Sequence, residues 1–298
     1  MNLHSKKHHY IPEFFSKAFT DEKGFLWIYD KEKNQILRNQ KHPANIFFED
    51  YLNSIEINGE KVAFIEEMYN GVNKIKGPDQ YFSESVKALQ NSTNDEIAMT
   101  TERISHLIYF IAQLTWRVPA NEAVNKILLN YISHKDPMLY SALSQVSWLS
   151  QQDQFKMARF ITPSMMFREA HKILIPGKLK VKIIDFHQPV FCLSDNPIIW
   201  KTFPAGATDF TTPLIFPINK QKVFVITEES EYYYSTNDLK LTIMILMHQA
   251  KKYVAFHSRE GLQQYVNAYQ EYKQIGSNQR GIVQGLFERI NKMEAVTS

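Results

Sequence analysis

The chain has 298 residues, of which 44% are apolar, enough to bury a large core and to exclude disorder along its whole length. Aromatics reach 13% while Gly and Pro are scarce, which excludes fibrous and linker-like chains, and a net charge of +3 does not by itself call for a nucleic-acid partner. The lone cysteine, Cys192, excludes an internal disulfide and a thiolate cluster and suits a reducing compartment.

No uncharged apolar run approaches the ~20 residues that cross a bilayer, and the polar, histidine-rich N-terminus lacks the apolar segment of a secretory signal. The expectation is a cytoplasmic protein without a membrane span, folded as a single domain over residues 1–298. In chain order, Lys6-Lys7-His8-His9-Tyr10-Ile11-Pro12-Glu13-Phe14-Phe15 gathers two imidazoles, a phenol and a carboxylate, a density that points to a site. Pro12 places His8 to Ile11 in an extended segment and Glu13 to Phe19 in a short helix. Of the two histidines, His9 is the candidate to face inward, because it shares a strand face with Ile11. Phe25 to Asp30 and Gln35 to Arg38 read as a hairpin.

Apolar residues at three-and-four spacing predict a helix from Glu60 to Lys76, stopped by Gly77-Pro78, with Glu66 turned toward its apolar side and Glu67 away. A second helix, Glu96 to Val118, is apolar around most of its circumference. Arg103, His106, Gln113 and Arg117, with Phe110, fall within about an 80° arc of it. A buried arginine is costly without an acid, so an anionic group should face this line. Further helices are expected over Asn121 to Ser133, Met138 to Leu149 and Gln152 to Arg168. Strands follow at Lys178 to Ile184, Val190 to Leu193 and Lys222 to Thr227. A helix over Leu239 to Ala250 capped by Asn237, a strand at Tyr253 to Phe256, and helices over Gly261 to Lys273 and Asn278 to Met293 complete the chain. The class is α+β, helix-rich in the middle and C-terminus, with a small mixed or antiparallel sheet.

Ser194-Asp195-Asn196-Pro197, at the end of a strand, places a carboxylate and an amide on a rigid base, suited to a metal or a substrate; the same residues also suit an Asx turn that bonds local amides. Lys178, Lys180 and Lys182 alternate along one strand face and present a contact for phosphates, or a solvated face. The phosphate loop, the dinucleotide fingerprint, the zincin helix and the serine-hydrolase elbow are all absent.

The His8 to Phe15 opening with Phe19, the Leu26-Trp27-Ile28-Tyr29-Asp30 strand, Ile65-Glu66-Glu67, Gln113 to Pro119, and Leu193-Ser194-Asp195-Asn196-Pro197 with Phe216-Pro217 together resemble a prokaryotic family, domain of unknown function 4238. The resemblance spans nearly the whole chain and carries no activity with it. It marks His9, Tyr10, Pro12, Glu66, Gln113, Arg117, Asp195 and Asn196 as motif positions; the chain departs from it at Phe15-Ser16-Lys17. The opening is also similar to the first strand of His-Asn-His nucleases, whose downstream Asn and His are not found here at their usual spacing.

Two functional readings follow. In the first, the protein is a hydrolase or nuclease acting on a phosphodiester, nucleotide or nucleic acid. Asp195, Glu66 and His9 would hold a divalent metal such as Mg or Mn, with Tyr10, Arg117 and Asn196 in the catalytic set. In the second, it is a non-catalytic ligand-sensing or interaction module in which Arg117 pairs with Asp195 or Glu66 in a buried network.

Overall fold

The computed structural model describes residues 6–72, 75–91, 101–133, 137–174, 180–202, 212–228, 234–274 and 279–290. Its strands are β1 (Lys7–His9), β2 (Trp27–Asp30), β3 (Gln35–Ile36), β4 (Phe48–Asp50), β5 (Ile55–Ile57), β6 (Glu60–Val62), β7 (Gly71–Val72), β8 (Ile75–Lys76), β9 (Lys180–Asp185), β10 (Leu193–Ser194), β11 (Ile199–Trp200), β12 (Leu214–Pro217), β13 (Lys222–Thr227) and β14 (Tyr253–Phe256). Its helices are α1 (Glu13–Ser16), α2 (Phe64–Asn70), α3 (Pro78–Asn91), α4 (Thr101–Arg117), α5 (Glu122–Ser133), α6 (Pro137–Ser144), α7 (Gln151–Leu174), α8 (Thr236–Gln249), α9 (Arg259–Gln274) and α10 (Gln279–Ile290). The fold is α+β, and every strand pairing among the described residues is antiparallel.

Two four-stranded sheets organise it. One has the order β10-β14-β2-β3 and the other β11-β12-β13-β9; three two-stranded ribbons, β1 with β4, β5 with β6 and β7 with β8, lie outside them. β13 is buried at all six positions, as a central strand covered on both faces must be, and β12 is buried throughout. One cluster of buried apolar side chains runs from Tyr10 to Phe287, and a smaller one gathers Ile55, Ile65, Tyr69 and Leu149. Phe15 of α1 stacks on Phe216 of β12 at 5.3 Å and meets Phe110 of α4 edge-on at 5.2 Å. These pairs tie the chain's opening to the middle helix and to a sheet, each contributing about 0.5–1.5 kcal/mol beyond its burial.

β13 and β14 have the expected limits, and α4, α5, α7, α8, α9 and α10 lie where helices are expected, with shifted ends. The helix expected from Glu60 to Lys76 is cut to Phe64–Asn70. Asn58 and Gly59, both at positive φ (52° and 81°), turn β5 back onto β6, so the segment that opens the expected helix is a hairpin strand. Gly71, at φ 96°, then ends α2. Gly77-Pro78, expected as the stop of that helix, is instead the start of the next: Pro78 opens α3, where its missing N–H costs nothing. The Val190 to Leu193 strand contracts to Leu193–Ser194. The cap of α8 is Ser235 in place of Asn237. Its Oγ accepts from the Asp238 amide at 3.2 Å, and its own N–H donates to Asp238 Oδ2 at 2.9 Å. Lys178 lies outside the described residues; in β9, Lys180 is exposed and Lys182 half-buried.

A close approach makes Gly77 a sensitive position. A Cβ built there would collide with the Tyr69 carbonyl oxygen and the Gly71 amide nitrogen, both backbone atoms that no rotamer change can move. Gly77→Ala is expected to destabilise the protein by about 1–3 kcal/mol in chemical denaturation, as overpacking does. An unchanged denaturation midpoint would contradict this packing of α3 against the end of α2.

Candidate functional site

The motif residues separate into two places. The first is a buried polar network where β1, α2, α3 and α4 meet. Contrary to the expectation from strand alternation, His8 is the fully buried histidine and His9 is half-buried. The reason lies in the pairing of β1 with β4: His8 stands opposite Glu49, and the chain that leaves β4 returns over it. The Asn53 amide donates to His8 Nδ1 at 2.9 Å, which makes that nitrogen the acceptor of the pair. The Asn53 side chain then donates to Glu66 Oε2 at 2.8 Å, and that oxygen lies 4.0 Å from His8 Nδ1. Glu66 is buried and turned inward, as its place on α2 predicts, and Glu67 is half-buried.

Arg117, at the last turn of α4, is 2% exposed. The acid that its burial requires is Asp79, whose two oxygens accept from Arg117 Nη1 at 2.7 and 2.9 Å. Neither Glu66 nor Asp195 makes this pair. The guanidinium also lies over the Tyr69 ring, 4.1 Å from its centroid. Burial works against the charge on Arg117, but Asp79 and Glu66 outweigh it and hold its pKa above the ordinary arginine value. Burial likewise pushes the Tyr69 phenol up to about 12. Gln113, one turn earlier on α4, is 3% exposed, and among the described residues neither its amide nitrogen nor its oxygen has a hydrogen-bond partner; Arg117 Nε has none either. His106 bonds Ser85 Oγ at 2.7 Å. Arg103 belongs to α4, but its side chain lies outside the described ones.

The second place surrounds the Ser194 to Asn196 turn. Asp195 accepts three backbone amides: Lys251 on Oδ1 at 2.8 Å, and Lys252 and Tyr253 on Oδ2 at 2.6 and 2.9 Å. Burial raises this carboxyl above its ordinary pKa, and the three amides pull the other way. Its own amide donates to the Tyr253 carbonyl, so Asp195 staples β10 to the start of β14. Ser194 Oγ accepts from the Asn196 amide at 3.0 Å, and the Asn196 carbonyl accepts from Gln249. The local turn is made by Ser194, and Asp195, expected to bond either a ligand or local amides, instead takes the amides of the distant segment that leads into β14. Tyr10 and Asp195 line a small cavity of about 140 Å³, where burial and then Asp195 raise the phenol's pKa. Asn196 lines a larger cleft of about 730 Å³ with Asn121, Trp200 and Gln249. Lys31, which donates to the carbonyls of His248 and Ala250 at the end of α8, is pulled down to about 8 by burial. Cys192 is buried, and its thiol is pushed up to about 12, an inert core group.

Among the described residues no three His, Cys, Asp or Glu side chains are grouped so as to hold a metal ion. His9, Glu66 and Asp195, the set expected to hold Mg or Mn, are therefore not brought to one point; His9 and Glu66 belong to the first place and Asp195 to the second. Sequence reasoning missed Asp79, Asn53 and Arg159. Asp79 carried a signal, an acid in the first turn of a helix opened by Pro78. Arg159, buried on α7 with Nε donating to the Trp116 carbonyl at 3.0 Å and Nη2 to the Arg117 carbonyl, carried none.

The histidines predict a pH dependence. Burial, and then Arg117, hold the His9 imidazole below its ordinary pKa; burial, and then nearby lysines, do the same to His248 and His257. Such groups take up protons on unfolding, so stability falls as pH drops below about 6.5 and levels off beneath their lowered folded values. Denaturation midpoints should decline from about pH 7.5 to about pH 5, less steeply in His9→Gln than in the parent. Equal slopes in the two proteins would count against this.

No helix among the described residues is long and apolar enough to cross a membrane. No curated protein and no solved structure matches the chain. The model of the family described as Protein of unknown function (DUF4238) matches residues 7–260, from the first residue of β1 to just beyond β14, and the chain belongs to that family.

Proposed function

We propose that the protein is a non-catalytic ligand-sensing or interaction module, and that the charged residues of its motifs form the framework holding its binding surfaces in place. One observation carries this reading: Asp195 and Arg117, two charged candidates among the motif residues, are already engaged by the protein itself. Both Asp195 oxygens are occupied by backbone amides, and Arg117 is held by Asp79. A metal ligand or a general base needs a lone pair directed at the reacting group, and a group that stabilises developing charge needs donors free to meet it. Buried networks of this kind act on specificity and rigidity, by fixing one arrangement of the elements they join.

The test compares stability with activity in the same variants. In a framework, Arg117→Ala and Asp195→Ala lose stability heavily. In a hydrolase, Asp195→Ala would stay well folded and lose turnover of a phosphodiester such as bis(p-nitrophenyl) phosphate. A stable Asp195→Ala protein lacking a hydrolytic activity that the parent possesses would overturn the reading.

A further inference from the structure

A second cleft, of about 440 Å³, lies between the β4 turn and the N-terminal half of α7, and Arg159 lines it. Its lining carries the carboxylates of Glu49 and Glu56, which have no ion-pair partner among the described residues, and three acids that are paired. Asp50 pairs with Lys6 at 2.8 Å, Glu122 with Lys126 at 2.7 Å, and Asp153 with Lys156 at 2.8 Å. Lys156 also donates to the Ser54 carbonyl at 2.6 Å, so its ammonium is committed. Arg159 differs from all of these. It is 4% exposed, yet no carboxylate pairs with it among the described residues; its two protein bonds go to neutral carbonyls at the end of α4 and leave Nη1 without a partner there. Glu122 and Glu49 act on it only from a distance, and burial pulls its pKa below the ordinary arginine value. A buried guanidinium normally sits with an acid, as Arg117 does one bond away, because an uncompensated buried charge is costly. Lys61, exposed at the rim, lies over the Tyr51 ring at 4.4 Å and has no acidic partner among the described residues.

We propose that this cleft binds a small oxyanion, a carboxylate or phosphate group, seated on the free edge of the Arg159 guanidinium with Lys61 at the entrance. Guanidinium recognises such groups through paired, charge-assisted hydrogen bonds. The site goes beyond the framework reading and is tested separately from it: that reading stands or falls on stability, this site on binding. Because the other edge of Arg159 holds the carbonyls of Trp116 and Arg117, an anion bound here is in register with the end of α4 that carries the buried network.

The experiment is calorimetric titration of the full chain with inorganic phosphate and, separately, with acetate and malonate, repeated on Arg159→Gln, Lys61→Glu and Glu49→Gln. The arm that saturates tells phosphate from carboxylate. Affinity is expected to fall at least tenfold in Arg159→Gln, to fall several-fold in Lys61→Glu, and to rise in Glu49→Gln, where a repelling charge is removed. Arg159→Gln forfeits two bonds to the backbone; should it fail to fold, the two rim variants, on exposed residues, carry the test. No saturable binding in any arm overturns the proposal, as does binding that Lys61→Glu and Glu49→Gln leave unchanged.

Discussion

Arg117→Ala is expected to lower the unfolding free energy by about 3–5 kcal/mol, the range for removing one partner of a buried ion pair. The cost arises at Asp79. With the guanidinium gone, that carboxylate stays among buried groups with nothing to neutralise it, and the Tyr69 ring loses the cation lying across its face. Arg117→Lys should recover only part of this, since a compact ammonium neither stacks on the ring as a plane nor reaches Asp79 in the same way. The informative control is a double substitution, Arg117→Met with Asp79→Leu. Removing both charges removes the desolvation problem, so the double variant should be more stable than Arg117→Ala although it alters more side chains. Urea denaturation with a common slope reads all of these. A loss under about 1 kcal/mol for Arg117→Ala would show that the pair is not the anchor described here.

Asp195→Ala is the second large effect. Three backbone amides lose their acceptor at once, each buried or partly buried N–H costing about 1–3 kcal/mol when left unpaired, and a total above about 3 kcal/mol is expected once some of them find water. Asp195→Asn keeps an acceptor oxygen but surrenders the charge and turns a donor group toward donors; it should fall between alanine and the parent. The damage should also be local in origin. Hydrogen exchange at Lys252 and Tyr253 is expected to accelerate in both variants before the amides of β13 are affected. Protection at Tyr253 unchanged in Asp195→Ala would refute the staple.

Much of the fold could be read along the chain because it is written in local periodicity. Lys222–Thr227 and Tyr253–Phe256 are apolar runs bounded by polar ones, and α4 announced its burial by being apolar on most sides while lining up its few polar groups. That line also implied an anion for Arg117, and one is present. The identity of the anion was not legible, because pairing between α4 and α3 is a tertiary choice with no trace in spacing. The same limit applies to Asp195, whose residue type suits a metal and an amide cluster equally; only the arrival of β14 decides which. That His8 is more deeply buried than His9 was not legible for a related reason. Strand alternation separates two faces but does not tell which one a returning loop will cover, and the segment carrying Asn53 covers His8. Arg159 is the extreme case, a single charge on a long helix whose significance lies entirely in what it does not meet.

The β10-β14-β2-β3 sheet has a consequence for how the chain is made. β14 is one of its two interior strands and joins β10 to β2, and among the described residues it is the last strand in chain order. A ribosome that has delivered everything up to Gln249 has produced a hairpin with one open edge and an Asp195 still waiting for its three amides. Until Tyr253–Phe256 pairs with β2 that strand edge is open, and a chain truncated before Tyr253 is expected to sediment as aggregate more readily than the full chain.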